Sequence, residues 1–486
     1  MKQNLFIYNT LSKQKQLFKA INAPYVGMYV CGPTVYSDVH LGNCRTFLAF
    51  DLMYRYLQVL GYKVRYIRNI TDAGHLEGDG DTGEDKISQK AKLAQVEPME
   101  IVQTYSNGFH SIMQQFNALA PSIEPTATGH IIEQIELVKI ILQNGLAYEI
   151  NGSVYFDVDK YSLTQDYGIL NNRKLDDMLA NTRNLGGQNE KRGKLDFALW
   201  IKAKPEHLMQ WSSPWGMGFP GWHLECSAMS HKYLGQHFDI HGGGMDLAPT
   251  HHTNEIAQNM AVCGKHPANF WIHTNMLTVN GQKMSKSLGN SFLPQELFTG
   301  QHALLQKGYS PMVVKFFMYQ AHYRSTLDFS NEALNASEKG FKKMMAAVHL
   351  LPKIIASNVC DVDIIQWRKQ CFAAMNDDFN SPILIAELFE GVRIINSLYD
   401  GHLNIDAQNL EILSQTFALF LVDVLGIPLG NTENNDTAAL MDFIVQLRND
   451  AKQNKNFATS DKIRDGLQQL GFEIKDSKEG TVWAKK

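Results

Sequence analysis

The sequence predicts an α/β fold, in which a parallel sheet carries an α/β insertion and is followed by a helical bundle and a small C-terminal α+β module. Three observations lead to this prediction. A strand, a helix and a second strand follow one another near the N-terminus, helical periodicity runs from about residue 295 to 425, and a mixed pattern closes the chain. At roughly 100–200 residues per domain, 486 residues predict about three domains.

The first observation is the strand–helix–strand unit. Residues 27–31 (GMYVC) form a short apolar run that is typical of a buried strand. Helical patterning then runs over 45–60, and Gly61 is suited to end that helix. Residues 63–69 (KVRYIRN) alternate and are rich in Val, Tyr and Ile, which predicts a second strand. Such a βαβ unit implies a parallel sheet.

The other elements follow from turn signals and periodicity. In chain order they are a glycine-rich acidic loop at 73–86, a helix at 87–116, a boundary at Pro121 and Pro125, an inserted α/β unit at 130–207, a helix at 222–233, a strand at 238–241, a helix at 251–260, a turn at Asn280 and Gly281, and a linker at 430–436.

Composition and charge exclude several classes of protein. The chain has 45 Lys and Arg against 49 Asp and Glu, a net charge of −4, and 44% hydrophobic residues. These values are typical of a folded globular protein and exclude a disordered chain or a strongly basic nucleic-acid coat. We expect no signal peptide and no membrane span, and hence a cytoplasmic protein. Six cysteines are too few for a disulfide scaffold and leave metal binding open.

Two short motifs are suited to bind phosphate. Residues 40–43 (HLGN) stand at a predicted helix start after a strand, where free N–H groups and the helix dipole favour anions. Residues 283–287 (KMSKS) place two ammonium groups on a turn, where they can meet charge that builds on a polyphosphate. Taken singly, an ordinary helix cap and a solvated basic loop explain the two motifs better.

Together, and in this order, the motifs resemble the HIGH and KMSKS signatures of class I aminoacyl-tRNA synthetases. Longer strings make the chain similar to the cysteinyl-tRNA synthetase family, and the similarity extends over essentially the whole chain. These strings are residues 27–47, 220–231, 238–246, 283–287 and 378–382 and the tail from Asn454. The resemblance implies a Rossmann-like catalytic domain that converts cysteine and ATP to cysteinyl-adenylate and transfers the cysteinyl group to the 3′ end of tRNA(Cys).

The resemblance also implies one zinc ion, because Cys31, Cys226, His251 and Glu255 match the family's metal ligands. Two thiolates, an imidazole and a carboxylate form a plausible tetrahedral set. His251 and Glu255, four residues apart, share a face of the predicted helix, whereas His252 is expected to point about 100° away. Without the family, two buried cysteines and a satisfied His–Glu pair are the simpler interpretation. The zinc would select cysteine over serine, because zinc favours sulfur.

The remaining site residues are predicted from the same matches. Catalytic roles fall to His40, Asn43, Lys283 and Lys286, and ATP binding, with Mg²⁺ on the phosphates, to His40, Asn43, Gly244, Asp246 and Lys286. The amino-acid pocket is expected to include Gly32, Thr71 and Trp222, although Trp222 is also interpretable as an ordinary core residue. Local departures from the family pattern are the long insert after 69–72 (NITD), the string 247–250 (LAPT) and Thr253.

Six segments and a monomer are predicted. The segments are 1–119 and 208–265 for the two halves of the catalytic domain, 120–207 for the insertion, 266–330 for the KMSKS-bearing stem-contact region, 331–429 for a tRNA-binding helical bundle and 430–486 for an anticodon-binding module. Within the last module, the part from Arg448 onward carries nine positive and six negative side chains. Two other hypotheses are a ligase that joins cysteine to an amino sugar and a non-catalytic, zinc-dependent RNA-binding protein. A long C-terminal region argues against the first, and the two phosphate motifs argue against the second.

Overall fold

The computed structural model describes residues 4–76, 83–170, 190–284, 289–429, 433–477 and 480–485. The chain divides into two compact units, Met1–Ile427 and Pro428–Lys486. None of the described helices has the length and apolar character needed to cross a membrane.

The described strands are β1 (Phe6–Asn9), β2 (Gln14–Leu17), β3 (Tyr25–Val30), β4 (Lys63–Arg68), β5 (Ala147–Ile150), β6 (Ser153–Phe156), β7 (Phe197–Lys202), β8 (Trp211–Ser213), β9 (Gly216–Pro220), β10 (Phe238–Gly244), β11 (Ala268–Thr274), β12 (Leu277–Val279), β13 (Gln282–Lys283), β14 (Leu327–Phe329), β15 (Phe472–Ser477) and β16 (Gly480–Lys485).

The described α-helices are α1 (Leu41–Val59), α2 (Lys86–Ala94), α3 (Pro98–Gln115), α4 (Ile131–Gln143), α5 (Val158–Ser162), α6 (Leu224–Leu234), α7 (Thr253–Cys263), α8 (Pro294–Thr299), α9 (Pro311–Tyr319), α10 (Asn331–Val348), α11 (Ile364–Asn376), α12 (Ser381–Tyr399), α13 (Ala407–Phe417), α14 (Glu433–Gln453) and α15 (Phe457–Gln469). Two π-helical turns, Ala248–His252 and Ala418–Val424, precede α7 and follow α13.

A four-stranded parallel sheet confirms the predicted βαβ unit and the α/β class. Its strand order is β11-β10-β3-β4, and every neighbouring pair is parallel. The strand β10 continues through three glycines, past the predicted end at 241. A Cβ on Gly242 would lie 2.2 Å from the Phe50 ring, so only glycine lets α1 pack this closely on the sheet.

The helix that the periodicity predicts over 87–116 is two helices, α2 and α3. Gln95 adopts the left-handed conformation, with φ of 57°, and ends α2. Pro98 then begins α3, where its missing N–H costs no hydrogen bond. The continuous-helix prediction was therefore wrong, because periodicity alone does not show a one-turn interruption.

The insertion is an antiparallel sheet of order β5-β6-β7-β9-β8. Its core is rich in aromatic rings, and Phe156 stacks on Phe197 at 4.9 Å between ring centroids. Two of its strands, β8 and β9, lie beyond residue 207, where the sequence predicted the insertion to end, and the sheet runs to Pro220. The chain leaves this sheet at Pro220 and reaches Trp222 two residues later.

A buried charge cluster joins α1 to the helical region. Asp51 on α1 lies between Arg55, four residues later, and Lys315 on α9, and Lys315 Nζ is 3.0 Å from Asp51 Oδ2. Lys315 also donates to Gly426 O at 3.5 Å, and Arg55 Nη2 donates to Asn117 O at 2.6 Å. One carboxylate therefore serves two buried cations, which tie α1, α9 and two loops together.

The smaller unit consists of α14, α15 and the hairpin β15–β16. Phe472 and Trp483 lie diagonally across that hairpin with ring centroids 6.0 Å apart. The hydroxyl of Thr481 donates to Asn449 Oδ1 at 3.1 Å, which ties the hairpin to α14. The mixed helix and strand pattern predicted for the end of the chain is thus present.

Candidate catalytic and metal site

The C-terminal ends of the parallel strands converge on one edge of the sheet. Cys31 directly follows β3, and Thr71 lies three residues after β4. Gly244 is the last residue of β10, the strand that lies between β3 and β11 in the sheet. Ligands of open α/β sheets bind at this edge, where neighbouring strands diverge. The sequence-predicted residues of the site therefore meet where the fold places a binding crevice.

The structure brings Cys31, Cys226, His251 and Glu255 together, with one ligand atom of each within 4.8 Å of the others. Cys31 Sγ lies 3.5 Å from Cys226 Sγ and 3.7 Å from Glu255 Oε1. His251 Nε2 lies 3.3 Å from the same carboxylate oxygen. All four side chains are buried, none of them more than 7% exposed. The arrangement is a compact set of two sulfurs, one nitrogen and one oxygen.

Burial makes this cluster unfavourable for charge in the absence of a cation. It raises the pKa of the Cys226 thiol to about 12, and burial together with the Cys226 sulfur holds the pKa of Cys31 well above its usual range. Burial, followed by neighbouring imidazoles, keeps the pKa of His251 well below its usual range. A divalent cation would supply the positive charge that two thiolates and a carboxylate need.

A second set of possible ligands overlaps the first. Cys31, His241, His252 and Glu255 also bring their ligand atoms within 4.8 Å. His252 Nε2 lies 3.4 Å from Cys31 Sγ, so the prediction that His252 points away from the site was wrong. Residues 248–252 form a π-helical turn, and the regular helix begins only at Thr253. The 100° spacing of an α-helix therefore does not apply to this pair of histidines.

Two contacts favour the first set. His241 Nε2 is 2.7 Å from Glu255 Oε2, which leaves Oε1 of that carboxylate directed at the cysteines and His251. Among the described residues, His251 Nε2 is buried without a hydrogen-bond partner, while its Nδ1 lies 3.1 Å from His223 Nδ1. His241 and His223 are thus placed to orient the carboxylate and the imidazole of the first set.

The first phosphate motif is a helix N-terminus in the structure. His40 is the N-cap of α1: its Nδ1 accepts from the Asn43 N–H at 3.3 Å, and Asn43 Oδ1 accepts from the His40 N–H at 3.2 Å. Because Nδ1 accepts a hydrogen bond, the neutral ring carries its proton on Nε2. The helix cap that the simpler interpretation predicted is therefore present.

The second phosphate motif lies beside the first. A Cβ on Gly42 would be 3.2 Å from Met284 Cε, and the Leu41 N–H donates to Phe292 O at 2.9 Å. Lys283 is exposed on β13, and Asn290 donates to its carbonyl at 3.2 Å. Lys286 lies outside the described residues. The start of this motif is thus packed against the N-terminus of α1.

The predicted amino-acid pocket residues surround the metal-ligand cluster. The Gly32 N–H donates to Asn69 Oδ1 at 2.9 Å, and a Cβ on Gly32 would lie 1.6 Å from Asn69 O, so no other residue fits there. Thr71 is buried and its hydroxyl donates to Glu225. Trp222 is half-buried, with its ring centroid 4.7 Å from that of His251.

The predicted adenosine-binding residues stand at the end of β10. Gly244 precedes a short 3₁₀ turn, Met245–Leu247, in which Asp246 is exposed. A Cβ on Gly244 would lie 2.3 Å from Asp246 Oδ1, so glycine allows this carboxylate to fold back over the strand end. Both residues therefore lie at the C-terminal edge of the parallel sheet, where open α/β sheets bind ligands.

Sequence reasoning assigned no role to four side chains of the site, namely His75, Glu225, His241 and His252. His241 stands inside the family-like string 238–246, so its motif was the available signal. Glu225 is buried against Thr71, and burial raises the pKa of this carboxyl well above its usual range. His75 lies in the glycine-rich insert, where no local pattern distinguishes it.

A cleft of about 990 Å³ elsewhere, lined by Phe18, Tyr62 and Phe372 among others, shares no residue with this site.

Comparison with known proteins gives consistent matches. Residues 17–339 match the family described as tRNA synthetases class I (C) catalytic domain, and residues 372–430 match the DALR domain. The chain is 55% identical over 487 residues to a cysteine–tRNA ligase of Bacteroides fragilis, with 99% of each protein covered. It is 50% identical over 493 residues to that of Cytophaga hutchinsonii and 44% identical over 496 residues to that of Chlorobaculum tepidum, again with 99% of each covered.

Solved structures share the fold at much lower identity. A methionyl-tRNA synthetase of Mycobacterium tuberculosis, in complex with methionyl-adenylate, matches with a TM-score of 0.56 at 13% identity, over 82% of this chain and 90% of that one. A LeuRS–tRNA–LeuAMS complex of Agrobacterium radiobacter K84 matches with a TM-score of 0.58 at 13% identity, over 84% and 85%. At this identity the two structures bear on the architecture alone.

Proposed function

The chain belongs to the cysteine–tRNA ligase family of class I aminoacyl-tRNA synthetases, and from that premise we propose that a zinc ion held by Cys31, Cys226, His251 and Glu255 selects its amino acid. The enzyme is an ATP-dependent ligase that activates cysteine as cysteinyl-adenylate and transfers it to tRNA.

The observation that carries the zinc proposal is the buried Nε2 of His251, which makes no hydrogen bond within the described residues and faces Glu255 Oε1 at 3.3 Å beside two thiols. A buried ring nitrogen that makes no hydrogen bond costs free energy unless a ligand satisfies it. The sulfur separation of 3.5 Å is also close to the roughly 3.8 Å edge of a tetrahedron with Zn–S bonds of about 2.3 Å. Both features fit a metal site better than a packed core.

Zinc in this position would coordinate the substrate thiol as thiolate and bind serine's hydroxyl far more weakly. The protein's part is to hold the ligands and shape the pocket. His241 orients Glu255 through Oε2, and His223 contacts the second nitrogen of His251. A cavity formed by apolar groups alone rejects serine only weakly, because serine has nearly the same shape as cysteine. The enzyme would therefore distinguish the two amino acids by the affinity of zinc for sulfur and not by size.

The pocket beside the ligands would position the rest of the amino acid. Trp222 forms a wall next to His251, and Thr71 presents a hydroxyl held between Glu225 and Asn69, whose Nδ2 donates to it at 3.1 Å. Gly32 lets the chain pass close to Asn69 at the end of β4. In this proposal the carboxylate of cysteine would point to the C-terminal edge of the sheet, where ATP would lie.

The phosphate motifs would serve the activation step. A carboxylate oxygen of cysteine attacks the α-phosphorus of ATP, and pyrophosphate leaves with the electron pair of the broken P–O bond. His40, Asn43, Lys283 and Lys286 would stabilise the charge on the phosphates, with Mg²⁺ bound to ATP, while Gly244 and Asp246 hold the nucleoside. A hydroxyl of the terminal ribose of tRNA then attacks the carbonyl carbon and AMP leaves.

The C-terminal regions would bind tRNA. We assign the helical bundle, 331–429, to the body of the tRNA and residues 430–486 to the anticodon, with the catalytic halves, the insertion and the stem-contact region as predicted from sequence. The surplus of three positive charges from Arg448 onward suits a phosphate backbone. We also propose that the protein is a monomer and acts in the cytoplasm, where its tRNA is used.

Elemental analysis tests the metal. The purified enzyme should contain one zinc per chain, and Cys226→Ser should lose zinc and raise the KM for cysteine in ATP–pyrophosphate exchange. Cys263→Ser is the matched control, because Cys263 is half-buried and lies outside the cluster. Wild-type enzyme without zinc but with full activity would contradict the proposal. A Cys226→Ser variant that keeps its zinc and an unchanged KM for cysteine would contradict it as well.

A further inference from the structure

The insert that follows β4 contributes a side chain to the site. Both ends of the insert are described, and they pair as a narrow neck in which Leu76 bridges Asp85 and the Lys86 N–H donates to His75 O at 3.0 Å. Gly74 has φ of 80°, and a Cβ there would lie 2.7 Å from Pro220 O. The neck is therefore pressed against the segment that leads into Trp222.

The imidazole of His75 lies flat on the indole of Trp222. The ring centroids are 4.0 Å apart and the planes differ by 8°. His75 is buried, at 8% exposed. On the same indole, the ring of His251 contacts at 4.7 Å with a tilt of 45°. Trp222 thus contacts both a stacked imidazole from the insert and a proposed metal ligand.

Two hydrogen bonds fix the plane of the His75 ring. Its Nδ1 is 2.8 Å from Thr34 Oγ1, and its Nε2 is 2.8 Å from Lys86 Nζ. A lysine ammonium can only donate, so Nε2 accepts and the ring is neutral with its proton on Nδ1. That proton is then donated to the Thr34 hydroxyl. The ring cannot turn without losing both bonds and the stack.

We propose that His75 is a positioning residue for cysteine, acting through Trp222. This inference rests on the proposed role of Trp222 as a wall of the amino-acid pocket. By holding the indole plane, His75 sets the width of the pocket beside the proposed metal ligands. The first residues of the glycine-rich insert would thus take part in substrate binding through His75, which the insert's sequence pattern does not indicate.

The effect should appear in the binding of one substrate. Loss of the stack leaves one face of the indole unsupported, so His75→Ala should raise the KM for cysteine about 3- to 10-fold, the range of one aromatic contact. The KM for ATP, the kcat of pyrophosphate exchange and the zinc content should stay within about twofold of wild type, because no proposed phosphate contact or metal ligand is removed.

Two further variants separate stacking from hydrogen bonding and guard against a misfolded alanine variant. His75→Phe keeps an aromatic ring on the indole and should restore the KM for cysteine to within about twofold of wild type. His75→Asn keeps a donor for Thr34 but loses the stack and should behave as His75→Ala does. His402→Ala, at an exposed histidine of the helical region, is the matched control.

Steady-state pyrophosphate exchange with each variant decides the matter. The inference is overturned if His75→Asn or His75→Ala leaves the KM for cysteine unchanged, or if kcat and both KM values change together without recovery in His75→Phe. Trp222→Ala separates this outcome from a failure of the proposed function. If Trp222→Ala leaves the KM for cysteine unchanged, the pocket assignment itself is wrong; if it raises that KM while His75→Ala does not, only the role of His75 is lost.

Discussion

Removal of the buried carboxylate at the centre of the Asp51 cluster should destabilise the larger unit strongly. In the folded chain one negative and two positive side chains meet there, a net charge of +1. Asp51→Asn leaves both Arg55 and Lys315 buried without a counter-ion, a net charge of +2. Loss of one partner from a buried ion pair typically costs about 3–5 kcal/mol. We expect Asp51→Asn to lower the free energy of unfolding by that amount.

Lys315→Met should cost much less, because it leaves the Asp51–Arg55 pair neutral. The carbonyl of Gly426 keeps the donor Asn117 Nδ2 at 2.9 Å, and the carbonyl of Asn117 keeps Arg55 at 2.6 Å. Because few polar groups are left without a hydrogen bond, the free energy of unfolding should fall by only about 1–2 kcal/mol. The same reasoning predicts that Lys315→Met partly rescues Asp51→Asn, since the double variant retains a single buried cation.

Urea unfolding followed by tryptophan fluorescence measures these differences, because six of the seven tryptophans lie in Met1–Ile427. The free energies of unfolding of the two single variants and the double variant would be compared with wild type at neutral pH. The charge argument is refuted if Lys315→Met is as destabilising as Asp51→Asn, or if the double variant is less stable than Asp51→Asn alone.

Two predictions concern activity. A chain that ends near Leu429 should keep cysteine-dependent pyrophosphate exchange but charge tRNA poorly, with weaker and less salt-dependent tRNA binding in a filter assay; equal charging by the truncated and full-length chains would contradict the anticodon assignment. Lys286→Ala should lower the kcat of exchange about 10²–10³-fold with little change in the KM for cysteine, because it removes an electrostatic donor that acts mainly in the transition state. An exchange rate within about twofold of wild type would remove Lys286 from the mechanism.

Elements that local periodicity specifies were predicted from the sequence. The strand–helix–strand unit, the turn at Asn280 and Gly281 and the helical region after 295 are all present, because alternation and 3.6-residue periods report which face of an element is buried. The hydrophobic pattern predicted helix only from Arg45, whereas α1 begins at Leu41, directly after the helix start that the HLGN motif indicated at 40–43.

In the site, too, some features were predicted from the sequence and others were not. Comparison of motifs brought Cys31 and Cys226, which are 195 residues apart in sequence, into one hypothesis, and the structure places their sulfurs in contact. The expectation that His252 points away from the site was wrong, because it assumed a regular helix where the chain forms a π-helical turn. In this turn the ring of His252 packs against His241 of β10 and His273 of β11, contacts that sequence periodicity does not report.

The sequence by itself determined the fold class, the family and the types of residue available for phosphate and metal binding, because residue type, periodicity and motif order are local properties of the chain. Only the tertiary structure decided which groups meet. It placed His241 on Glu255 and His75 on Trp222, and it surrounded Asp51 with two cations. The physical reason is that hydrogen bonds, stacking and ion pairs act over a few ångströms, and the packing of distant segments sets those separations.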